Sequence, residues 1–240
     1  MTTTRFPDVM VLAAGLGKRM RPLTDTTPKP LIEVGGKPLI DRVVANALAE
    51  GATRFVVNAH HHAAQVEAHV TALEASLAGT EFRLSLEDVL LGTGGGIKRA
   101  LPVLETDPFL VMNADSFWPP GRDQPLARMI GRFDPAAIDM VLLCVHPRDA
   151  VGFRRNHDFC LDPRGRVTKD AGAPVIYAGV ALVARGLLAD LADNMFSFYD
   201  LIERSLEAER LAGVALSAPW FHVGNRESVA QVVEMFGSSA

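Results

Sequence analysis

The 240-residue chain has little cysteine, no excess of positive charge and no long apolar run, and each shortage removes a class of protein. Its two cysteines, Cys144 and Cys160, lie in apolar, strand-like segments without metal-ligand spacing, which argues against a disulfide scaffold and reads as a reduced pair in the core. With 24 Lys and Arg against 28 Asp and Glu, the formal net charge of −4 offers no global field for nucleic acid or an anionic membrane. Any anion site must therefore be local. No apolar run approaches the roughly 18 residues of a membrane span, and the opening MTTTRFPD lacks the apolar region of an export signal, so a cytoplasmic location is expected. Internal repeats, low-complexity tracts and linkers are also missing.

What is present is an alternation of strand and helix. "DVMVLAAG" is a short apolar run that stops at a glycine loop and reads as a buried strand. Leu39, Ile40, Val43, Val44, Ala47 and Leu48 recur at helical spacing up to the stop signal Gly51. Strands follow at 54–60, 82–88, 108–115 and 139–145, separated by a helix carrying Val66, Val70, Leu73 and Leu77 and by a glycine loop entering a helix at 94–105. Nearly continuous apolar strands alternating with helices predict an α/β fold: a doubly wound, mostly parallel, Rossmann-like mixed sheet flanked by helices. After Pro147 the pattern changes to a hairpin at 159–168, the strand "PVIYAGVALVA", a helix at 197–211, a short strand ending at Trp220 and a last helix at 226–236. This is the expected small antiparallel subdomain of a single domain, 1–240.

Positive charge gathers in one place, "LAAGLGKRMRPLTDTTPKP" at residues 12–30. Following a buried strand, Gly15 and Gly17 let the backbone approach an anion closely, while Lys18, Arg19, Arg21 and Lys29 supply charge. Pro28 and Pro30 are expected to hold Lys29 extended. Two phosphate motifs are excluded. A P-loop needs glycine where Leu12 stands and Ser or Thr where Arg19 stands, and the dinucleotide fingerprint needs a third glycine where Met20 stands.

The stretch "LAAGLGKRMRPLTDTTPKPLIEVGGKPLI" resembles the signature of the sugar-1-phosphate nucleotidyltransferases, which make NDP-sugars from a nucleoside triphosphate and a sugar 1-phosphate. The resemblance implies a triphosphate bound over Leu12, Ala13, Ala14, Gly15, Gly17, Lys18 and Arg19, with Asn58, Gly94 and Gly95 also on the nucleotide and Lys29 at the reacting centre. Residues 1–146 would then be the nucleotide-binding half and 147–240 the sugar-binding half. "YAGVALV" is similar to the family's sugar-binding strand, which implies sugar contacts from Gly179, Asn113 and Lys169. The triple glycine of "LGTGGGIKRA" is most similar to the N-acetylmuramate 1-phosphate uridylyltransferase branch, which implies UTP and N-acetylmuramate 1-phosphate as substrates and a place in recycling cell-wall sugars.

"NADSFW" puts Asp115 at the end of a buried strand, where it either holds magnesium against triphosphate oxygens or caps the following turn. Where relatives carry a W-x-D-V-G-T segment, this chain reads "WFHVGN", with His222 in the aspartate's place. His222 is either a ligand suited to manganese more than magnesium, a phosphate contact, or a residue packed beside Trp220 and Phe221. The run His60, His61, His62 makes a poor chelate and is expected to be a solvated strand end. No Ser-His-Asp or Cys-His order stands out, and none is needed. In the implied reaction an ionised phosphate attacks the α-phosphorus in line, with Arg19, Lys29 and metal-bearing Asp115 offsetting charge. Rival substrates are mannose or glucose 1-phosphate with GTP, dTTP or UTP, and a rival of another class is a nucleotide-sugar-binding protein without catalysis. The expected assembly is a monomer or small homo-oligomer.

Overall fold

A computed structural model describes residues 5–121, 123–191 and 195–237. Four parallel strands, in the order Glu81–Leu86, Arg54–Ala59, Val9–Leu12, Phe109–Asn113, form one side of a nine-stranded sheet. The long strand Ala173–Val183 pairs antiparallel to Phe109–Asn113 and, on its other edge, to Met140–Val145, which in turn pairs parallel to Leu211–Ala215. The hairpin of Phe159–Leu161 and Val167–Thr168 adds to the start of the long strand through Ala173–Val175. The sheet is thus mixed and mostly parallel, and its antiparallel part lies in the second half of the chain.

Period-two alternation in the strands feeds a core on each face. Val9, Val11, Phe55 and Val57 point to one face, where the helices Leu39–Leu48 and Ala63–Ser76 cover them with Ile40, Val43, Val66 and Val70. Met10, Val56 and Val111 point to the other, under Ile97 and Ala100 of helix Gly92–Ala100 and Leu201 and Ile202 of helix Phe198–Glu207. Both faces are therefore closed from water, which is why the strands read as continuous apolar runs. Ser197 starts the Phe198–Glu207 helix with a capping box, its hydroxyl accepting from Tyr199 N–H while Asp200 reaches back to the Ser197 N–H. Cys144 and Cys160 are both free and buried.

The sequence expectations differ from the structure in three elements. The triple glycine lies inside a helix, Gly92–Ala100, and not in a loop before one. Lys29 is the first residue of a 3₁₀ turn, Lys29–Leu31, and is not extended: only Pro28 is, at ψ 144°, and Pro30 fits because the first turn leaves its missing N–H unneeded. In place of one strand ending at Trp220 there are two, Leu211–Ala215 in the main sheet and Trp220–His222 in a small sheet between Ser116–Phe117 and Ala150–Val151. That small sheet carries the end of the chain back to the carboxyl ends of the first strands. No helix among the described residues is long and apolar enough to cross a membrane.

Candidate active site

The strands Val9–Leu12, Arg54–Ala59 and Phe109–Asn113 all deliver their carboxyl ends to one edge of the sheet, and a cavity of about 430 Å³ opens there. It is lined by Leu12, Ala13, Ala14, Gly15, Gly17, Lys18, Arg19, Lys29, Asn58, Asn113 and Asp115, with Leu90, Gly92 and Thr93 on the far wall. Gly17 has φ +61°, and a Cβ there would meet Thr24 Cγ2 at 2.7 Å; Thr24 Oγ1 in turn donates to the Gly17 carbonyl at 2.9 Å. A Cβ on Gly15 would meet nothing within 4 Å and would project into free space. Gly17 is thus glycine for the turn, whereas Gly15 leaves backbone accessible. Lys18 and Arg19 are exposed and carry no ion pair among the described residues, so their charge is available to a ligand.

Lys29 Nζ donates to Asp115 Oδ2 in a short ion pair, both side chains being mostly buried. His222 Nε2 stands 3.6 Å from the same oxygen. Burial works to raise the Asp115 pKa, but the Lys29 ammonium and then His222 overcome it and hold the carboxyl well below the usual carboxylate range. Asp115 is an anion at any working pH. The Asp115 carbonyl accepts from Val223 N–H at 2.9 Å, which ties the WFHVGN segment to the end of the fourth parallel strand. His222 itself stacks on Trp220, ring centroids 5.6 Å apart and 5° from parallel, and its Nδ1 is buried without a hydrogen bond.

Among the described residues no group of three or more His, Cys, Asp or Glu side chains gathers to hold a metal ion. Asp115 Oδ1, however, is buried without a partner. One orphaned carboxylate oxygen, with His222 near the other oxygen of the same carboxylate, suits a divalent cation that takes its other ligands from phosphate and water. The donor set fits such an ion only together with a phosphate-bearing ligand.

Behind the cavity wall lies a network that composition does not reveal. Asn58 Oδ1 accepts from Ala13 N–H at 2.7 Å, and its Nδ2 donates to Glu87 Oε1 at 2.6 Å. Glu87 Oε2 accepts from Leu91 N–H at 3.1 Å. One buried carboxylate thereby joins both walls, the Ala13 side through Asn58 and the Leu90–Thr93 side through Leu91.

A second cavity, about 420 Å³, adjoins the first through Arg19, Asn113 and Asp115 and extends to Arg154, Arg155, Tyr177, Gly179, Tyr199 and His222. The ion pair of Lys29 and Asp115 sits where the two meet. An anion in one cavity and an anion in the other would face each other across these charges.

Residues 8–153 match the family Nucleotidyl transferase. The chain belongs to this family. It is 40% identical over 223 residues to an N-acetylmuramate alpha-1-phosphate uridylyltransferase of Caulobacter vibrioides, covering 91% of this chain and 92% of that one. A protein of the same name from Neisseria meningitidis serogroup B is 47% identical over 107 residues, 44% of this chain and 46% of that one. Among solved structures, the UTP-bound UGPase of Acinetobacter baumannii aligns with a TM-score of 0.76 over 98% of this chain and 94% of that one at 18% identity, which establishes a common fold. As a nucleotidyl transferase the protein is an enzyme that joins a nucleotidyl group to a sugar 1-phosphate.

The nucleotidyl transferase fold gathers most of the residues expected from sequence and disperses three. Gly94 and Gly95 do not line either cavity: Gly94 is packed against the Phe196 ring, and its N–H donates to the Phe196 carbonyl at 3.0 Å. The missing Cβ of Gly94 makes room for the Phe196 ring. Lys169 lies in a third cavity, with Arg166, Thr168, Glu207 and Glu209, and lines neither of the other two. Gly179 does border the second cavity, but its φ of +76° and the Ser116 and Asn113 side chains that a Cβ would strike account for the glycine. The histidine run is no solvated strand end. His60 Nδ1 meets the Glu87 carbonyl at 2.8 Å and His61 Nε2 the Thr24 carbonyl at 3.0 Å, so the rings brace two different loops. Sequence reasoning missed Glu87, Arg154, Arg155, Tyr177 and Tyr199, whose only signal is proximity in the fold.

Proposed function

We propose that the enzyme transfers a uridylyl group from UTP to N-acetylmuramate 1-phosphate, giving UDP-N-acetylmuramate and pyrophosphate. The observation that carries this reading is the buried Lys29–Asp115 pair at the junction of two cavities, in a chain so similar along its length to the Caulobacter uridylyltransferase. The triphosphate is assigned to the first cavity, over Ala13–Gly15, Gly17, Lys18 and Arg19, and the sugar to the second, with Asn113 and Gly179 at its floor. On this reading 1–146 supplies most of the nucleotide site, and 147–240 supplies the sugar site together with Arg19, Asn113 and Asp115, within one domain.

In the reaction an oxygen of the sugar phosphate attacks the α-phosphorus of UTP, that P–O bond forms, and the bond to the β-phosphate breaks with its electron pair leaving on pyrophosphate. The attacking oxygen is already ionised, so no general base is required. Lys29 has one N–H on Asp115 and two left to span the attacking and α-phosphates, which brings two anions together and offsets charge where it concentrates. Asp115 fixes the ammonium in place. Arg19, exposed and unpaired, draws in the phosphates and stabilises the departing pyrophosphate. A divalent ion, magnesium or manganese, would be held by Asp115 and His222 and would neutralise phosphate charge. A cytoplasmic enzyme recycling cell-wall sugars is the setting this substrate implies.

The test is pyrophosphate release with each nucleoside triphosphate against a panel of sugar 1-phosphates, first with magnesium and then with manganese. Turnover confined to UTP and N-acetylmuramate 1-phosphate is expected. Turnover with another pair moves the substrate and keeps the chemistry, whereas nucleotide binding without pyrophosphate release would support a non-catalytic binder.

A further inference from the structure

The second cavity has arginines at both of its ends. Its reacting end already has Arg19 beside the Lys29–Asp115 pair, yet Arg154 and Arg155 stand at the other end with the apolar and phenolic faces of Phe153, Tyr177 and Tyr199. The two arginines are built differently. Arg154 reaches Glu227 in an ion pair whose members are 67% and 74% exposed, a rim contact of little energetic value. Arg155 is anchored. Its guanidinium carbon lies 5.3 Å over the Phe153 ring centroid, while Nη2 meets Asp158 Oδ1 at 3.0 Å and the Tyr199 hydroxyl at 3.4 Å. Asp158 is buried and held in turn by the Tyr177 N–H at 3.1 Å. Three groups therefore fix the guanidinium by one nitrogen and one face. Its Nε and Nη1 have no hydrogen-bond partner among the described residues, although the side chain remains 62% exposed.

A guanidinium held at Nη2 and by one face, with Nε and Nη1 open, matches an anionic oxygen best, a carboxylate or phosphate that accepts a single N–H···O bond from one of these donors. The phosphate of the sugar belongs at the opposite end, with Lys29. We propose that Arg155 binds a carboxylate carried by the sugar ring itself, and that this contact selects the sugar. The inference rests on the proposed substrate: N-acetylmuramate is N-acetylglucosamine with a lactyl ether at the 3-oxygen, and that lactyl group ends in a carboxylate. The two sugar 1-phosphates differ in nothing else. The analogue without the carboxylate forgoes the charge-assisted hydrogen bond that the anchored Arg155 donors offer, and so binds less well.

The experiment compares kcat/KM for N-acetylmuramate 1-phosphate and N-acetylglucosamine 1-phosphate, at saturating UTP, in the wild type and in Arg155→Met and Arg155→Lys. The wild type is expected to prefer the muramate, and Arg155→Met to lower that preference by about 10- to 100-fold, as loss of a hydrogen-bonded charge pair would. Arg155→Lys keeps the charge without the planar guanidinium and its fixed donors, and should fall between. A KM for UTP within the wild-type range reports that each variant is folded at the nucleotide site, and the lysine variant serves if the methionine variant does not fold. If the wild type favours N-acetylglucosamine 1-phosphate, both the substrate assignment and the role of Arg155 fall. If it favours the muramate and the variants lose activity equally on both sugars, or keep the full preference, the substrate assignment stands and the role of Arg155 is overturned.

Discussion

At the residue scale, Asp115 shows how one position is tuned by opposing effects. Burial pushes its carboxyl upward, Lys29 and His222 push it down, and the cations win. A folded pKa below the unfolded value of about 3.9 means that the pair's stabilisation is present above that value and is lost as pH falls through the folded one. Lys29→Met removes the larger of the two cations and leaves burial in place. The Asp115 pKa should then rise toward the ordinary carboxylate value in a ¹³C NMR titration, and the acid-side loss of stability should shrink accordingly. An unchanged titration would mean that Lys29 is not what ionises Asp115. The same substitution removes the one buried ammonium at the junction, so kcat should fall by about 10²-fold or more with the fold intact. His222 calls for a different measurement. Imidazole suits softer metals than magnesium does, so His222→Asp should shift the metal preference toward magnesium, read as the ratio of activities in magnesium and manganese.

At the scale of elements, the helix Gly92–Ala100 is the place where sequence and structure part. The glycine run "GTGGGI" looks like a loop because each glycine inside a helix costs about 1 kcal/mol relative to alanine. That cost is offset by contacts which no local pattern encodes. Gly94 accepts the Phe196 ring and Gly96 accepts Glu87 and Asn58, all from distant parts of the chain. Gly94→Ala gains helix propensity but collides with Phe196, and overpacking of about 1–3 kcal/mol should prevail, lowering Tm. Combined with Phe196→Ala, the substitution should cost less than the sum of the two singles, and strict additivity would argue against the collision. Glu87 makes the same point on the functional side. Glutamine there keeps the shape but replaces one accepting oxygen with an N–H₂ group, so it cannot accept from both Asn58 and Leu91. Glu87→Gln should therefore raise KM for the triphosphate about tenfold while KM for the sugar 1-phosphate stays nearly constant. A general loss of packing would raise both.

Over the whole molecule, the strands, their alternation and the loop of residues 12–30 could be read from the sequence because each is local: a β-branched run, a glycine turn and a cluster of cations lie within a few residues of one another. Family resemblance places Lys29 and Asp115 at one reacting centre, but their pairing across 86 residues is not legible in the sequence; nor is the anchoring of Arg155, whose neighbours Phe153 and Asp158 are local but whose third partner, Tyr199, is brought in by the fold. The division at residue 146 is of the same kind. It follows no boundary in the fold: the second cavity takes Arg19, Asn113 and Asp115 from the first half, and Met140–Val145 lies inside the sheet with Ala173–Val183 on one side and Leu211–Ala215 on the other, both from the second half. Nor can the second half close without the first, because Ala173–Val183 also pairs with Phe109–Asn113. One shared sheet, with a core on each face drawn from both halves, implies one cooperative unfolding transition, with calorimetric and van't Hoff enthalpies equal. A ligand confined to the first cavity must then stabilise the whole chain. UTP at 100 times its Kd should add about 2.7 kcal/mol and shift the single Tm upward by about 5–10 °C. Were the halves independent, UTP would move one of two transitions and leave the other where it was.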